Sequence, residues 1–190
     1  MIKKAIILCG GTGSRMYPTT LSTNKQLLPL YDKPMFFYPL SVLMLAGIRE
    51  YLFVINPGQK KKFEKLLGPT KDLGIKVKYI EQSKPNGLPE AFILGKSFIG
   101  KDSVALMLGD NFLYGSMLTP LIRNSLSMNS GANIYLYPSK KTSSYRVVEL
   151  DKNGEVKKII EKPKFTKSNL VITGLYAFDN NVVDYVKKIK

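Results

Sequence analysis

Histidine is absent from the 190-residue chain, which excludes histidine-assisted nucleophile triads, histidine metal sites and the usual neutral-pH acid/base group. Any chemistry must therefore run on carboxylates, cations, a metal ion and backbone dipoles. Cysteine is down to one residue, Cys9, so no intramolecular disulfide can form. Long apolar runs are missing too. The richest stretch, MFFYPLSVLMLAGI, contains Pro39 and Gly47 and ends in charge, short of the roughly 18 apolar residues of a membrane span. A core helix is expected there, and no membrane partner. Met1 leads directly into IKKAIIL and a glycine-rich turn, without the apolar segment and cleavage site of a secretory signal, so a cytoplasmic location is expected. Acidic residues are scarce: 14 Asp and Glu face 29 Lys and Arg, a formal charge of +15. Such an excess attracts polyanions at low salt. The lysines of 59–62 and 186–190 nevertheless fall at helical spacing, as on a solvated face. Aromatic residues do not interleave with them, and no zinc or helix-turn-helix signature occurs. No specific nucleic-acid partner is expected.

With 44% hydrophobic and 23% charged residues, the chain can bury one good core but is short for two full domains, and a single domain over 1–190 is expected. Short β-rich runs (KKAIILC, YLFVINP, KVKYIEQ, SVALMLGD, ANIYLYP) alternate with amphipathic ones (FYPLSVLMLAG, KKFEKLLG, PEAFILGKSF, TPLIRNSLSMN). Several of the β-rich runs are continuously apolar, as strands buried on both faces are. The pattern predicts an α/β, doubly wound, mixed but mainly parallel sheet flanked by helices. YRVVELD and VKKIIEK, joined around Asn153-Gly154, predict a hairpin in which the Asn-Gly pair supplies the positive φ angles.

The strongest local signal is LCGGTGSR. There an apolar strand ends at Leu8 and Cys9 and enters Gly10, Gly11, Thr12, Gly13, Ser14 and Arg15. Glycines let backbone N–H groups approach phosphate oxygens, and an arginine adds a charge-assisted fork; a tight turn without a ligand is the alternative. It is no Walker loop, and Met16 stands where the dinucleotide fingerprint needs its third glycine. Asp110, which ends VALMLGD, belongs at a sheet's carboxyl edge, where open α/β folds bind ligands, and is a hard oxygen donor suited to Mg²⁺. A plain turn- or helix-capping aspartate is the alternative.

LCGGTGSRMYPTT followed by NKQLLP resembles the LxGGxGTRLxP and KxLLP signature of the nucleoside-diphosphate-sugar pyrophosphorylases. YDKPMFFYPLSVLMLAGIRE, QSKPNGL, LGDN, EKP and TGLY then follow in the order and spacing of the glucose-1-phosphate thymidylyltransferases. The resemblance spans essentially the whole chain, and six motifs in register make it specific. It implies a nucleotidyltransferase fold of glycosyltransferase-A type and Mg²⁺-dependent transfer of a thymidylyl group from dTTP to glucose 1-phosphate, the entry step of deoxysugar synthesis. Nucleotide binding would fall to Leu8, Gly10, Gly11, Thr12, Gly13, Arg15, Gln82, Gly87 and Asp110, with Gln82 and Gly87 reading the base. The sugar phosphate would be bound by Tyr145, Arg146, Glu161, Lys162 and Ile172. Arg15, Lys25 and Lys162 would act as catalytic cations and Asp110 as metal ligand. For Lys25 a solvated lysine, for Gln82 an ordinary strand-end turn, and for Glu161 and Lys162 a surface ion pair are the alternatives.

Two departures stand out. Arg146 occupies the place of a family glycine that lies against the sugar, so it must intrude there, turn outward, or serve a more anionic sugar. The family's GLAQA is here Gly87-Leu88-Pro89-Glu90-Ala91, with the proline expected at a helix's first position, where it is benign. The family also continues past the counterpart of Lys190, into a second metal aspartate, the rest of the sugar site and oligomer-forming helices. A shortened chain is therefore expected, with a homo-oligomer expected for the full-length family. Three functions remain open from sequence: the transferase, with another sugar or UTP as variants; a catalytically impaired nucleotide-binding relative; and a polyanion binder driven by charge alone.

Overall fold

A computed structural model describes all residues except Pro85, Asn129 and Lys190. Pro85 in the QSKPNGL motif and Lys190 in the basic C-terminal run thus lie outside the described residues. The strands are β1 Lys4–Cys9, β2 Pro29–Leu30, β3 Lys33–Pro34, β4 Glu50–Ile55, β5 Lys76–Glu81, β6 Val104–Leu108, β7 Ala132–Pro138, β8 Arg146–Leu150, β9 Val156–Glu161 and β10 Leu170–Phe178. The helices are α1 Phe37–Leu45, α2 Lys60–Leu67, α3 Leu88–Leu94, α4 Lys96–Ile99, α5 Leu118–Ser125 and α6 Val182–Val186. The chain forms two compact units, Met1–Asn133 with Tyr176–Lys190, and Ile134–Leu175.

In the first unit β5, β4, β1 and β6 lie side by side in that order, all parallel. Burial on both faces accounts for their near-continuous apolar sequences. Ile6, Leu52, Val54, Val104 and Leu106 point to one face and form a core with Phe92 of α3, Ile99 of α4 and Val183 of α6. On the opposite face Phe53 meets Phe36 edge-on at 5.8 Å between ring centroids, and Phe36 meets Phe63 of α2 at 5.1 Å. Helices therefore cover both faces, as the sequence pattern predicts. The MFFYPLSVLMLAGI stretch contains helix α1, which buries Pro39, Leu40 and Leu43 and leaves Leu45 exposed, and no helix among the described residues is long and apolar enough to cross a membrane.

The chain moves outward from β1 to β4 to β5, then crosses back to place β6 on the other edge of β1. The carboxyl ends of β1 and β6 consequently flank a topological switch point. Gly109, next after β6, is required there. A Cβ on it would stand 2.7 Å from both Cys9 Sγ and the Leu8 carbonyl oxygen, and its N–H donates to that carbonyl at 2.8 Å. The close approach carries Asp110 to the end of β1.

The second unit contains the antiparallel β8–β9 hairpin, with β8 also paired to β10 through Val147 and Val171. Its turn differs from the expected one: of Asn153 and Gly154, only Gly154 has positive φ, at 81°. The Asp151 N–H donates to the Glu155 carbonyl at 2.9 Å, and Asp151 Oδ1 accepts from the N–H groups of Asn153 and Glu155. This is a longer loop closed by a left-handed glycine, which needs one positive φ where a two-residue turn needs two. Pro89 also differs slightly, standing second in α3 after the cap Gly87 and Leu88.

Gly109→Ala should lower stability by about 1–3 kcal/mol through overpacking against a backbone oxygen that cannot move aside. Gly115→Ala, with nothing within 4 Å of the added carbon, should be close to neutral. Urea unfolding midpoints of the two variants check this.

Candidate functional site

The loop after β1 owes its shape to side chains that reach it from elsewhere. Asn56, directly after β4, forms a two-way clamp with Gly11: the Gly11 N–H donates to Asn56 Oδ1 and Asn56 Nδ2 donates to the Gly11 carbonyl, both at 2.9 Å. Asn24 Nδ2 donates to the Cys9 carbonyl at 2.7 Å. Gly13 has φ 63°, and a Cβ there would meet Thr20 Cγ2 at 2.9 Å, while Thr20 Oγ1 donates to the Gly13 carbonyl at 2.9 Å. The loop is thus fixed before any ligand arrives, which lowers the ordering cost of binding.

A cleft of about 240 Å³ opens on this loop, lined by Gly10, Gly13, Arg15, Lys25, Gln26 and Asp110 among others. Arg15 is exposed beside it. Lys25, in a short turn whose cap Asn24 accepts from the Gln26 N–H, places Nζ 2.5 Å from Asp110 Oδ2, with both side chains about 30% exposed. The two residues assigned to phosphate and metal therefore face each other directly. Gln26 Nε2 donates to the Gly10 carbonyl at 3.3 Å, while its buried Oε1 has no partner among the described residues. Leu8 packs against the core and Thr12 is exposed. Among the described residues no three His, Cys, Asp or Glu side chains gather as a metal cage.

Gln82 follows β5 at the same carboxyl edge and is buried. Its Nε2 donates to Glu90 in the first turn of α3, and Glu90 also accepts from Asn86 Nδ2 at 3.2 Å. Gly87, at φ 89°, caps that helix. Gly10, Asn56, Gln82 and Asp110 all follow the ends of adjacent parallel strands.

In the second unit, one end of the β8–β9 hairpin collects Tyr145, Arg146, Glu161 and Lys162. The Lys162 N–H donates to the Tyr145 carbonyl at 2.9 Å, and Arg146 and Glu161 are direct cross-strand neighbours whose side chains form an ion pair. Arg146 thus engages the carboxylate assigned to the sugar. Lys162 Nζ stands 3.7 Å from Glu161 Oε1, and its backbone sits at φ 43°, a left-handed conformation that costs a non-glycine residue energy. Ile172 lies on β10, next to the Val171–Val147 pairing.

Asn56 and Gln26 were missed as site residues by sequence reasoning. A usable signal existed for Asn56: one amide directly after six largely apolar residues, at a strand's carboxyl end. Gln26 lies inside the NKQLLP motif, next to Lys25.

The nucleotidyl transferase family model matches residues 4–190. The chain belongs to this family. Within it, the chain is 46% identical over 187 residues to the glucose-1-phosphate thymidylyltransferase of Neisseria meningitidis serogroup A, and 44% identical to that of Mycolicibacterium smegmatis. In each alignment 98% of this chain is covered, and the chain spans 65% of the length of these curated relatives. Among solved structures, a Bacillus anthracis chain described as a candidate glucose-1-phosphate thymidylyltransferase, in complex with sucrose, superposes with TM-score 0.90 at 32% identity. The match covers 98% of this chain and 75% of that one. A UDP-glucose pyrophosphorylase complexed with UDP-glucose superposes with TM-score 0.81 at 23% identity over all of this chain and 81% of its own, a likeness of fold.

Burial, reinforced by the Asp110 charge, pushes the Cys9 thiol well above its ordinary range. It should resist a disulfide reagent at pH 8 in the folded chain and react promptly once guanidinium unfolds it; absorbance of the released thiolate measures both rates. Lys162→Gly should stabilise the chain by a few tenths to about 1 kcal/mol by relieving the left-handed backbone, read as a raised denaturant midpoint.

Proposed function

We propose that the chain carries the nucleotide- and sugar-phosphate-binding core of a glucose-1-phosphate thymidylyltransferase, joining dTTP and glucose 1-phosphate into dTDP-glucose and pyrophosphate. The observation that carries this reading is the clamped glycine loop opening on a cleft that also holds Arg15, Lys25 and Asp110. The named relatives, alike over nearly the whole chain, support it.

An oxygen of the sugar phosphate forms a bond to the α-phosphorus of dTTP. The α–β bridging bond breaks in line, and pyrophosphate leaves with its electron pair. An ionised phosphate needs no general base, which suits a chain without histidine. The difficulty is bringing two anions together. In the first unit, loop N–H groups and Arg15 hold the triphosphate, Lys25 adds a cation, and Gln82 with the backbone at Gly87 reads the pyrimidine. In the second, Lys162 binds the sugar phosphate and Glu161 accepts from sugar hydroxyls, with Tyr145 and Ile172 beside them.

The donor set fits a hydrated Mg²⁺. Asp110 offers a hard oxygen, and the orphaned Gln26 Oε1 in the same cleft can accept from a metal-bound water. When bound, the ion neutralises phosphate charge. Asp110 would hold it directly and Gln26 through a bound water.

The Arg146–Glu161 pair favours a second reading in which the same transfer serves another sugar 1-phosphate. Glucose hydroxyls would have to compete with a guanidinium for Glu161.

Pyrophosphate release by the purified chain with dTTP, glucose 1-phosphate and Mg²⁺, alongside calorimetric titration of dTTP, tests the proposal. Asp110→Ala should abolish release. Lys25→Ala should lower kcat/KM by about 10²-fold or more, as expected on losing a cation aimed at developing charge. Omission of Mg²⁺ should stop turnover. Failure to bind any nucleoside triphosphate overturns the proposal.

A further inference from the structure

Resting on the proposed function above, the contacts of one residue outside the family pattern assign it a part in base selection. Glu90 replaces the glutamine of the GLAQA motif and lies half-buried in the first turn of α3. Its two oxygens face different partners: Oε2 accepts from Gln82 Nε2 and Oε1 accepts from Asn86 Nδ2 at 3.2 Å. A side-chain amide has two orientations of nearly identical shape that exchange a donor edge for an acceptor edge. A neutral partner that can both donate and accept tolerates either. A carboxylate accepts only, so opposite Glu90 the Gln82 nitrogen must face inward and its oxygen outward. That oxygen lies 3.5 Å from the point where a Cβ on Gly10 would stand, at the first glycine of the phosphate loop. Because Gln82 is buried, the reversed orientation would set its oxygen against a carboxylate and leave a donor without a partner, at a cost larger than one ordinary hydrogen bond.

We propose that Glu90 is a positioning residue that locks the Gln82 amide with its oxygen towards the ligand, and so selects a base with an imide N–H (thymine or uracil) over cytosine. The imide N3–H donates to that oxygen, and the second N–H of Gln82 Nε2 remains available to the neighbouring carbonyl of the base. Cytosine, whose N3 is an acceptor, meets the oxygen with a lone pair.

The test is calorimetric titration of dTTP, dUTP, dCTP and inorganic tripolyphosphate, each with Mg²⁺, into the wild-type chain, Glu90→Ala and Glu90→Gln. In both variants the Gln82 amide is free to turn. The affinity ratio of dTTP to dCTP should fall about tenfold, dUTP should follow dTTP, and tripolyphosphate binding should stay unchanged. A purely structural role in the 82–90 segment would weaken all three nucleotides together and leave the ratio intact. An unchanged ratio in variants that still bind tripolyphosphate overturns the inference alone. A wild-type chain that binds dTTP and dCTP equally well removes the base-reading role of Gln82, and this inference with it.

Discussion

β1 is paired in parallel along both edges, residue for residue with β4 on one side and β6 on the other. Parallel pairing brings the ends of neighbouring strands to one edge. The residues that follow β1, β4, β5 and β6 therefore emerge together: Gly10, Asn56, Gln82 and Asp110. Helices packed on both faces leave that edge as the place where polar groups can gather. Gly109 matters for the same reason, since any side chain there would force β6 away from β1 and carry Asp110 with it.

The electrostatics of the two units differ in kind. In the first, Lys25 and Asp110, with most of each side chain shielded, pair with each other in a cleft also lined by a third charged group, Arg15. Such a pair contributes little to stability. It does keep both charges at fixed positions beside the loop. In the second unit, the Arg146–Glu161 pair occupies a carboxylate that the family resemblance assigns to sugar hydroxyls. The chain's +15 charge is a background to both; its lysines on α2 lie exposed.

The doubly wound fold was legible because strands buried on both faces read as continuous apolar runs and the helices between them show a different period. The glycine loop was legible as a candidate site because glycine, hydroxyl and arginine directly after such a strand have few other uses. Partnerships between individual side chains were not. Nothing local to Asn56 says that it clamps Gly11, and nothing in Glu90 says that it meets Gln82. Arg146 could be seen as a departure, but its choice of Glu161 depends on the cross-strand register of β8 and β9. The turn at Gly154 was misread in one respect, because Asp151 holds two backbone N–H groups and makes a longer loop the better solution.

The Asn56–Gly11 clamp also bears on how the chain folds. Its two halves are separated by 45 residues, so the loop cannot take its ligand-ready shape through local interactions. It must wait for β4 to dock on β1, a long-range event that comes at the cost of closing a large loop. The loop therefore acquires this shape only when the centre of the sheet is complete. The Gly11 amide, although it lies in a loop near the surface, should exchange its hydrogen as slowly as the strands that hold it.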